Sequence, residues 1–113
     1  YPAHHIVALR REVFDEAPWV AVRLFDVLER SRLYSQDVRW ALTDVTPWSI
    51  TDLEETRALF GKDWQPFGAE VNRKMIADFC GDQFAQGLVT NQLDPLTAFA
   101  EFEQVAAESG AAR

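Results

Sequence analysis

The sequence lacks several residue types and patterns whose presence would define a class of protein. Cys80 is the single cysteine, so neither an internal disulfide nor a cysteine-rich metal cluster can form. No apolar run approaches the ~20 residues that span a bilayer. Nucleotide-binding glycine loops, zinc-binding helix motifs, Cys–His dyads, serine nucleophile elbows and internal repeats are missing as well. These absences predict no membrane insertion and no metal site.

Basic residues are in deficit. The 113 residues include 11 Lys and Arg against 18 Asp and Glu, which gives a formal net charge of -7. A nucleic-acid surface needs a basic patch to neutralise phosphates, so we predict no nucleic-acid partner. The hydrophobic share of 48% and charged share of 26% are ordinary for a folded chain with a core.

The first residues predict a β-strand at about 5–10, because His5-Ile6-Val7-Ala8-Leu9 is apolar and rich in β-formers. No second strand is evident, and a buried unpaired amide costs about 1–3 kcal/mol. We therefore expect a sheet from further polypeptide, outside residues 1–113, to pair with this strand. The absence of an initiator Met at Tyr1 leads to the same expectation, a single segment 1–113 of a longer protein.

The rest of the sequence predicts helices. Pro18 suits a first helical position, Thr46-Pro47 and Asp94-Pro95 each combine a cap with such a proline, and Gly61 and Gly87 mark helix ends. An irregular continuation of the first long helix is expected at 36–45. Within that helix, either Arg32 or Leu33 continues the inward-facing stripe. The predicted helices cover about 18–35, 47–60, 69–86 and 95–108.

Two groups of residues could carry chemistry. His4 and His5 point to opposite faces if the segment is a strand, so one of them could face a cleft as a general acid or hydrogen-bond donor; the alternative is one surface and one packed histidine. Trp64, Phe67 and Gly68 precede a helix that carries Arg73, an arrangement that could bind an anionic aromatic ligand. Packing of the loop by its own aromatics is the alternative. Trp48, next to Pro47, is either a core residue or part of the wall of a ligand site.

Four separated segments resemble the C-terminal third of the 4,5-dihydroxyphthalate decarboxylase family, which is similar in turn to type II periplasmic solute-binding proteins. They are Tyr1-Pro2-Ala3-His4-His5-Ile6-Val7, Pro18-Trp19-Val20-Ala21, Pro47-Trp48 with Leu53-Glu54-Glu55-Thr56-Arg57-Ala58-Leu59-Phe60-Gly61, and Pro66-Phe67-Gly68 with Glu70 and Asn72-Arg73-Lys74. The resemblance implies two α/β lobes around a cleft, to which this chain supplies one N-terminal strand and mainly α-helices.

The resemblance also implies an activity, the decarboxylation of a hydroxylated aromatic acid, with His5 as the catalytic residue and without an obligatory organic cofactor. His4, Trp48, Trp64, Phe67, Gly68, Asn72 and Arg73 are then expected at the substrate. Phe67 departs from the family, which often has Tyr there, so a role for that hydroxyl is absent. A non-catalytic solute-binding protein of a transporter is the alternative function.

The expected partners are a small aromatic carboxylate and the remainder of the chain's own polypeptide, with homo-oligomerisation left open. The expected compartment is the cytoplasm, or the periplasm if an upstream leader exists.

Overall fold

The structure is a computed structural model that describes residues 5–41 and 48–110, with the side chains of residues 40 and 41 left out. Five α-helices and one short 3-10 helix lie in these residues. In chain order they are α1 (Arg11–Glu16), α2 (Trp19–Ala41), α3 (Ser49–Phe60), α4 (Arg73–Ala85), the 3-10 helix Thr97–Phe99 and α5 (Ala100–Glu108). Among the described helices, none has the length and apolar character needed to cross a bilayer.

The predicted strand at 5–10 is wrong. Residues 5–10 have no regular secondary structure, and the described ranges contain no strand. Ile6 is 79% exposed and Val7 is also exposed, so water can satisfy their backbone groups and the argument from buried, unpaired amides no longer applies. The carbonyl of Arg10 instead accepts hydrogen bonds from the N–H groups of Val13 and Phe14, which begins α1.

The predicted fold class is overturned with the strand. The described residues are helical, without a sheet, which contradicts a segment of a two-lobed α/β fold of the periplasmic-binding type with an N-terminal strand. β-Branched and apolar residues in a short run favour a strand only when a neighbouring strand completes the ladder, and the described residues provide none.

The helices differ from the predicted ranges mainly at their ends. α2 extends to Ala41 rather than to residue 35, because 36–41 contains no Gly or Pro that would end it. The predicted helix start at residue 47 lies outside the described residues, and α3 is described from Ser49. α4 begins at Arg73 rather than at residue 69, since residues 69–72 form turns.

The last helical region starts with a cap. The backbone N–H of Leu96 donates to the Asp94 carboxylate at 2.8 Å, as expected of a capping aspartate ahead of Pro95. A turn and the 3-10 helix follow before α5 begins at Ala100.

Glycine ends α4 in a Schellman motif. Gly87 has φ +71°, its N–H donates to the carbonyl of Phe84, and the N–H of Leu88 donates to the carbonyl of Gln83, each at 3.0 Å. These two bonds satisfy carbonyls that the end of a helix leaves without partners. The positive φ is the conformation in which glycine costs least.

The chain divides into two compact units. The first comprises residues 1–25 and 67–113, and the second comprises residues 26–66. In the first unit Val22, Ala69 and Ala106 are buried, and the Phe25 ring lies against two others: 5.5 Å from Phe102 and 6.4 Å from Phe67, centroid to centroid. An ion pair of 2.6 Å between Arg11 and Glu101 joins α1 to α5.

The second unit contains the larger part of α2, α3 and the loop of residues 61–66. Its centre is polar. Gln36 on α2 is 7% exposed. The Arg32 side chain is 9% exposed, so Arg32 is the inward residue of the two alternatives that the sequence offered, Arg32 and Leu33. Leu33 is exposed.

Candidate ligand-binding site

The second unit contains a small pocket lined almost entirely by polar side chains. Four of its lining residues, Arg32, Ser35, Gln36 and Arg39, come from α2, and Trp64 and Gln65 come from the loop that follows α3. The four α2 residues are spaced i, i+3, i+4 and i+7, which places them on one face of the helix. The pocket has a cavity volume of about 110 Å³, well below the roughly 300–1,000 Å³ of sites for drug-sized ligands.

Arg32 lines this pocket, and two carboxylates hold its side chain in place. Its guanidinium donates to Glu29 through Nε at 2.7 Å and through a terminal nitrogen at 2.5 Å, and to both oxygens of Asp63. Paired donation to a carboxylate is the strong, oriented form of this interaction. The hydrogen bond with Glu29, followed by the one with Asp63, raises the pKa of Arg32 despite its burial. Arg32 is therefore charged at any physiological pH.

Asp63 connects α2 to the loop that carries Trp64. Its carboxylate accepts hydrogen bonds from Arg32 and from the Gln36 side chain at 3.5 Å. The hydrogen bond from Arg32 is the main reason that the pKa of Asp63 is lowered. Asp63 thereby ties the residue that precedes Trp64 to α2.

The two arginines of the pocket differ in what surrounds them. The charge of Arg32 is matched by Glu29 and Asp63, neither of which lines the pocket. Arg39 lines the pocket, is exposed and lies in the last turn of α2. Guanidinium groups bind carboxylates in a planar, two-bond geometry. The pocket thus offers a solvent-facing guanidinium beside the half-buried indole of Trp64.

Of the residues predicted from sequence, Trp64 lines this pocket. Trp48 belongs to the same unit, where it precedes α3 and is 72% exposed. The exposure of Trp48 does not fit the interpretation of this side chain as a core residue.

Four other predicted residues lie near the start of α4 in the first unit. Phe67 contacts Phe25. Gly68 has φ +116°, and its carbonyl accepts a hydrogen bond of 2.9 Å from the side-chain amide of Asn72. Arg73 pairs with Glu70 at 2.9 Å on the surface, and that hydrogen bond raises the pKa of Arg73. These contacts stabilise the turn that leads into α4.

The two histidines precede the first helix in the sequence. His5 is exposed and lies ahead of α1 in the irregular segment. His4 lies outside the described residues. In the described part of the chain, no group of three or more His, Cys, Asp and Glu side chains could hold a metal ion.

Five pocket residues were not predicted as site residues from the sequence: Arg32, Ser35, Gln36, Arg39 and Gln65. The signal for the first four was present, because Arg32, Ser35, Gln36 and Arg39 form a polar stripe at helical spacing. It was overlooked because the helix was expected to end near residue 35, which removes the last turn and with it Arg39. Gln65 has no comparable sequence signal.

Comparison with known proteins gives one informative result. The chain is 25% identical over 103 residues to 4,5-dihydroxyphthalate decarboxylase from Comamonas testosteroni, in an alignment that covers 88% of this chain and 31% of that enzyme. The chain therefore spans about a third of the length of this relative. No family model matches the sequence, and no solved structure matches it. The relationship is distant.

Proposed function

We propose that the chain is part of a carboxy-lyase that decarboxylates a hydroxylated aromatic acid such as 4,5-dihydroxyphthalate. The observation that carries this proposal is the alignment of nearly the whole chain with a protein named 4,5-dihydroxyphthalate decarboxylase. The relative is three times as long as the aligned part, so the activity belongs to the complete polypeptide that contains these residues. The remainder of that polypeptide is the chain's first partner.

The exposed apolar side chains of the described residues support such a partner. No residue of α3 is buried, and Ile50, Leu59 and Phe60 on that helix are exposed large hydrophobic residues. Ile50 and Leu59 lie on opposite sides of α3, nine residues apart at 100° each, and a helix with apolar residues on more than one side is expected to be covered by other protein.

The reaction requires a proton at the ring carbon that bears the carboxylate. When a hydroxyl lies ortho or para to that carbon, the hydroxyl gives up its proton and becomes a carbonyl while the ring π electrons form the new C–H bond. The C–C bond to the carboxylate then breaks and releases CO₂, and its electron pair restores the aromatic ring and the phenolate, which takes up a proton. The balance is one carboxylate and one proton converted into one arene C–H and one CO₂, without an organic cofactor.

In this proposal His5 delivers the proton or orients the group that does so, because an imidazole nitrogen can donate a proton or a hydrogen bond to a bound substrate. Arg73 is the structural anchor of the α4 turn, since its guanidinium is engaged by Glu70. Asn72 and Gly68 hold the same turn through their hydrogen bond.

The test is turnover of 4,5-dihydroxyphthalate by the full-length gene product, followed as CO₂ release. We expect His5→Ala to lower kcat by about 10²–10⁴-fold, the usual contribution of a general acid. Ile6→Ala is the matched control, because Ile6 is the exposed neighbour of His5. Turnover at the wild-type rate in His5→Ala removes His5 from the mechanism. Tight binding of the acid without any product rejects the enzyme itself.

A further inference from the structure

We infer that the pocket of the second unit is a carboxylate-binding site for a small planar acid, in which Arg39 binds the carboxylate and Trp64 contacts the ring. This assignment does not rely on His5 or on turnover. It rests on the lining residues of the pocket, its volume and the network that fixes them.

The first step concerns charge. The chain as a whole carries a net charge of -7, which disfavours anions at long range, so an anion needs a local cation. Arg32 is occupied by Glu29 and Asp63, whereas Arg39 lines the pocket from an exposed position. Arg39 is therefore the group that a carboxylate would meet.

The second step concerns shape. A cavity volume of about 110 Å³ admits a carboxylate with part of one ring and is too small for a nucleotide or a peptide. The indole of Trp64 provides a flat apolar wall, and Ser35, Gln36 and Gln65 provide polar groups around the opening. A flat acid matches both features better than a spherical anion such as sulfate.

The third step concerns preorganisation. Asp63 accepts hydrogen bonds from Arg32 and Gln36 on α2. Because Asp63 directly precedes Trp64 in the loop, these bonds hold Trp64 beside α2 before a ligand arrives, which limits the ordering that binding requires. A polar helix face with a buried glutamine at its centre is costly unless its groups are bonded, and this network supplies the bonds.

Arg39 also has a structural explanation, since a cation in the last turn stabilises a helix through its dipole. The two roles separate experimentally. A dipole role depends on charge alone, so Arg39→Lys would retain it, whereas a planar two-bond contact with a carboxylate requires the guanidinium.

The experiment is a titration of the full-length protein with benzoate, monitored by the indole N–H resonance of Trp64 in ¹⁵N-tryptophan-labelled protein. The resonance is assigned by its loss in Trp64→Phe. We expect benzoate to shift it saturably, and Arg39→Gln to weaken binding about 10- to 100-fold, the range for a charge-assisted hydrogen bond. Arg39→Lys is expected to weaken it nearly as much.

Arg30→Gln is the matched control. It removes the same charge from the same helix, and nine residues at 100° each place Arg30 on the face opposite Arg39. We expect wild-type affinity from this variant. Equal loss in Arg30→Gln and Arg39→Gln would mean that only net charge matters, and would overturn the site.

Two further ligands define the chemical class. Benzamide has the same shape without the charge and is expected not to bind, whereas cyclohexanecarboxylate keeps the charge without the flat ring and is expected to bind more weakly than benzoate. A Trp64 resonance that does not respond to benzoate rejects the inference. Because no turnover is measured, a failure here leaves the proposed decarboxylation standing, and the loss of His5-dependent turnover leaves this site standing.

Discussion

Replacing Arg32 by methionine should destabilise the second unit more than any other single change at the pocket. Methionine keeps much of the volume of the arginine stem but removes all the hydrogen bonds to Glu29 and Asp63. Removing one member of a fully buried ion pair costs about 3–5 kcal/mol, since the remaining charge is left without a partner.

That figure must be reduced here because the partners are only partly buried. The Asp63 side chain is 47% exposed, so water screens its charge and can hydrate it once the guanidinium is gone. Glu29 is less exposed than Asp63 and should carry most of the penalty. We therefore expect a loss of about 2–3 kcal/mol for Arg32→Met. Arg32→Lys should lose roughly half as much, because an ammonium cannot bond both carboxylates in the planar geometry.

The assay is urea unfolding followed by circular dichroism at 222 nm together with tryptophan fluorescence. The two probes are needed because a chain with two units need not unfold in one step. Arg30→Met is the control, an exposed arginine on the same helix, and should change stability by no more than about 0.5 kcal/mol. If Arg32→Met and Arg30→Met unfold at the same urea concentration, then the Arg32 network does not hold the second unit together and the reasoning is wrong.

Two more predictions concern pH and backbone conformation. The folded-state pKa of Asp63 is lowered, so its contribution to stability is present above its unfolded pKa of about 3.9 and disappears as the pH falls through the lower folded value. Urea midpoints measured between pH 6 and pH 2.5 should therefore fall more steeply in the wild type than in Asp63→Asn. Parallel profiles for the two proteins would contradict this prediction. Gly87→Ala should destabilise the protein by about 1 kcal/mol because Gly87 has φ +71°. Gly81→Ala should stabilise it by about 0.5–1 kcal/mol, because Gly81 lies inside α4 and the nearest atom to the new Cβ is 3.7 Å away. If thermal unfolding shows a change of the same sign for both variants, the conformational difference between the two glycines does not determine their effect on stability.

Local signals in the sequence located one turn and one helix end, at positions where a single residue determines the geometry. Asp94 caps its turn and Gly87 follows the last turn of α4, because capping oxygens and positive φ angles are properties of individual residues. The strand at 5–10 failed for the opposite reason. Ile6 and Val7 have the side chains of a strand, but a strand depends on a partner elsewhere, and an exposed segment has no need of one.

The same contrast explains the candidate site. The sequence singled out Trp64 from its loop, yet its neighbours in the pocket come from α2, about 30 residues earlier in the chain. No local pattern connects the two, because the connection is made by Asp63, which the sequence did not single out. Its bonds to Arg32 and Gln36 bring the loop to the polar face of α2.

The polar face of α2 shows why such a site is difficult to recognise from hydrophobic periodicity. A search for an inward stripe looks for apolar residues at helical spacing. It therefore offers Leu33 as an alternative to Arg32 and does not select Gln36 or Arg39. In the structure Arg32 and Gln36 are inward and satisfied by hydrogen bonds, which leaves Arg39 at the mouth of the pocket. On this face of α2, a buried glutamine between two arginines occupies positions where apolar residues would usually pack. A ligand carboxylate at Arg39 provides a functional reason for that arrangement.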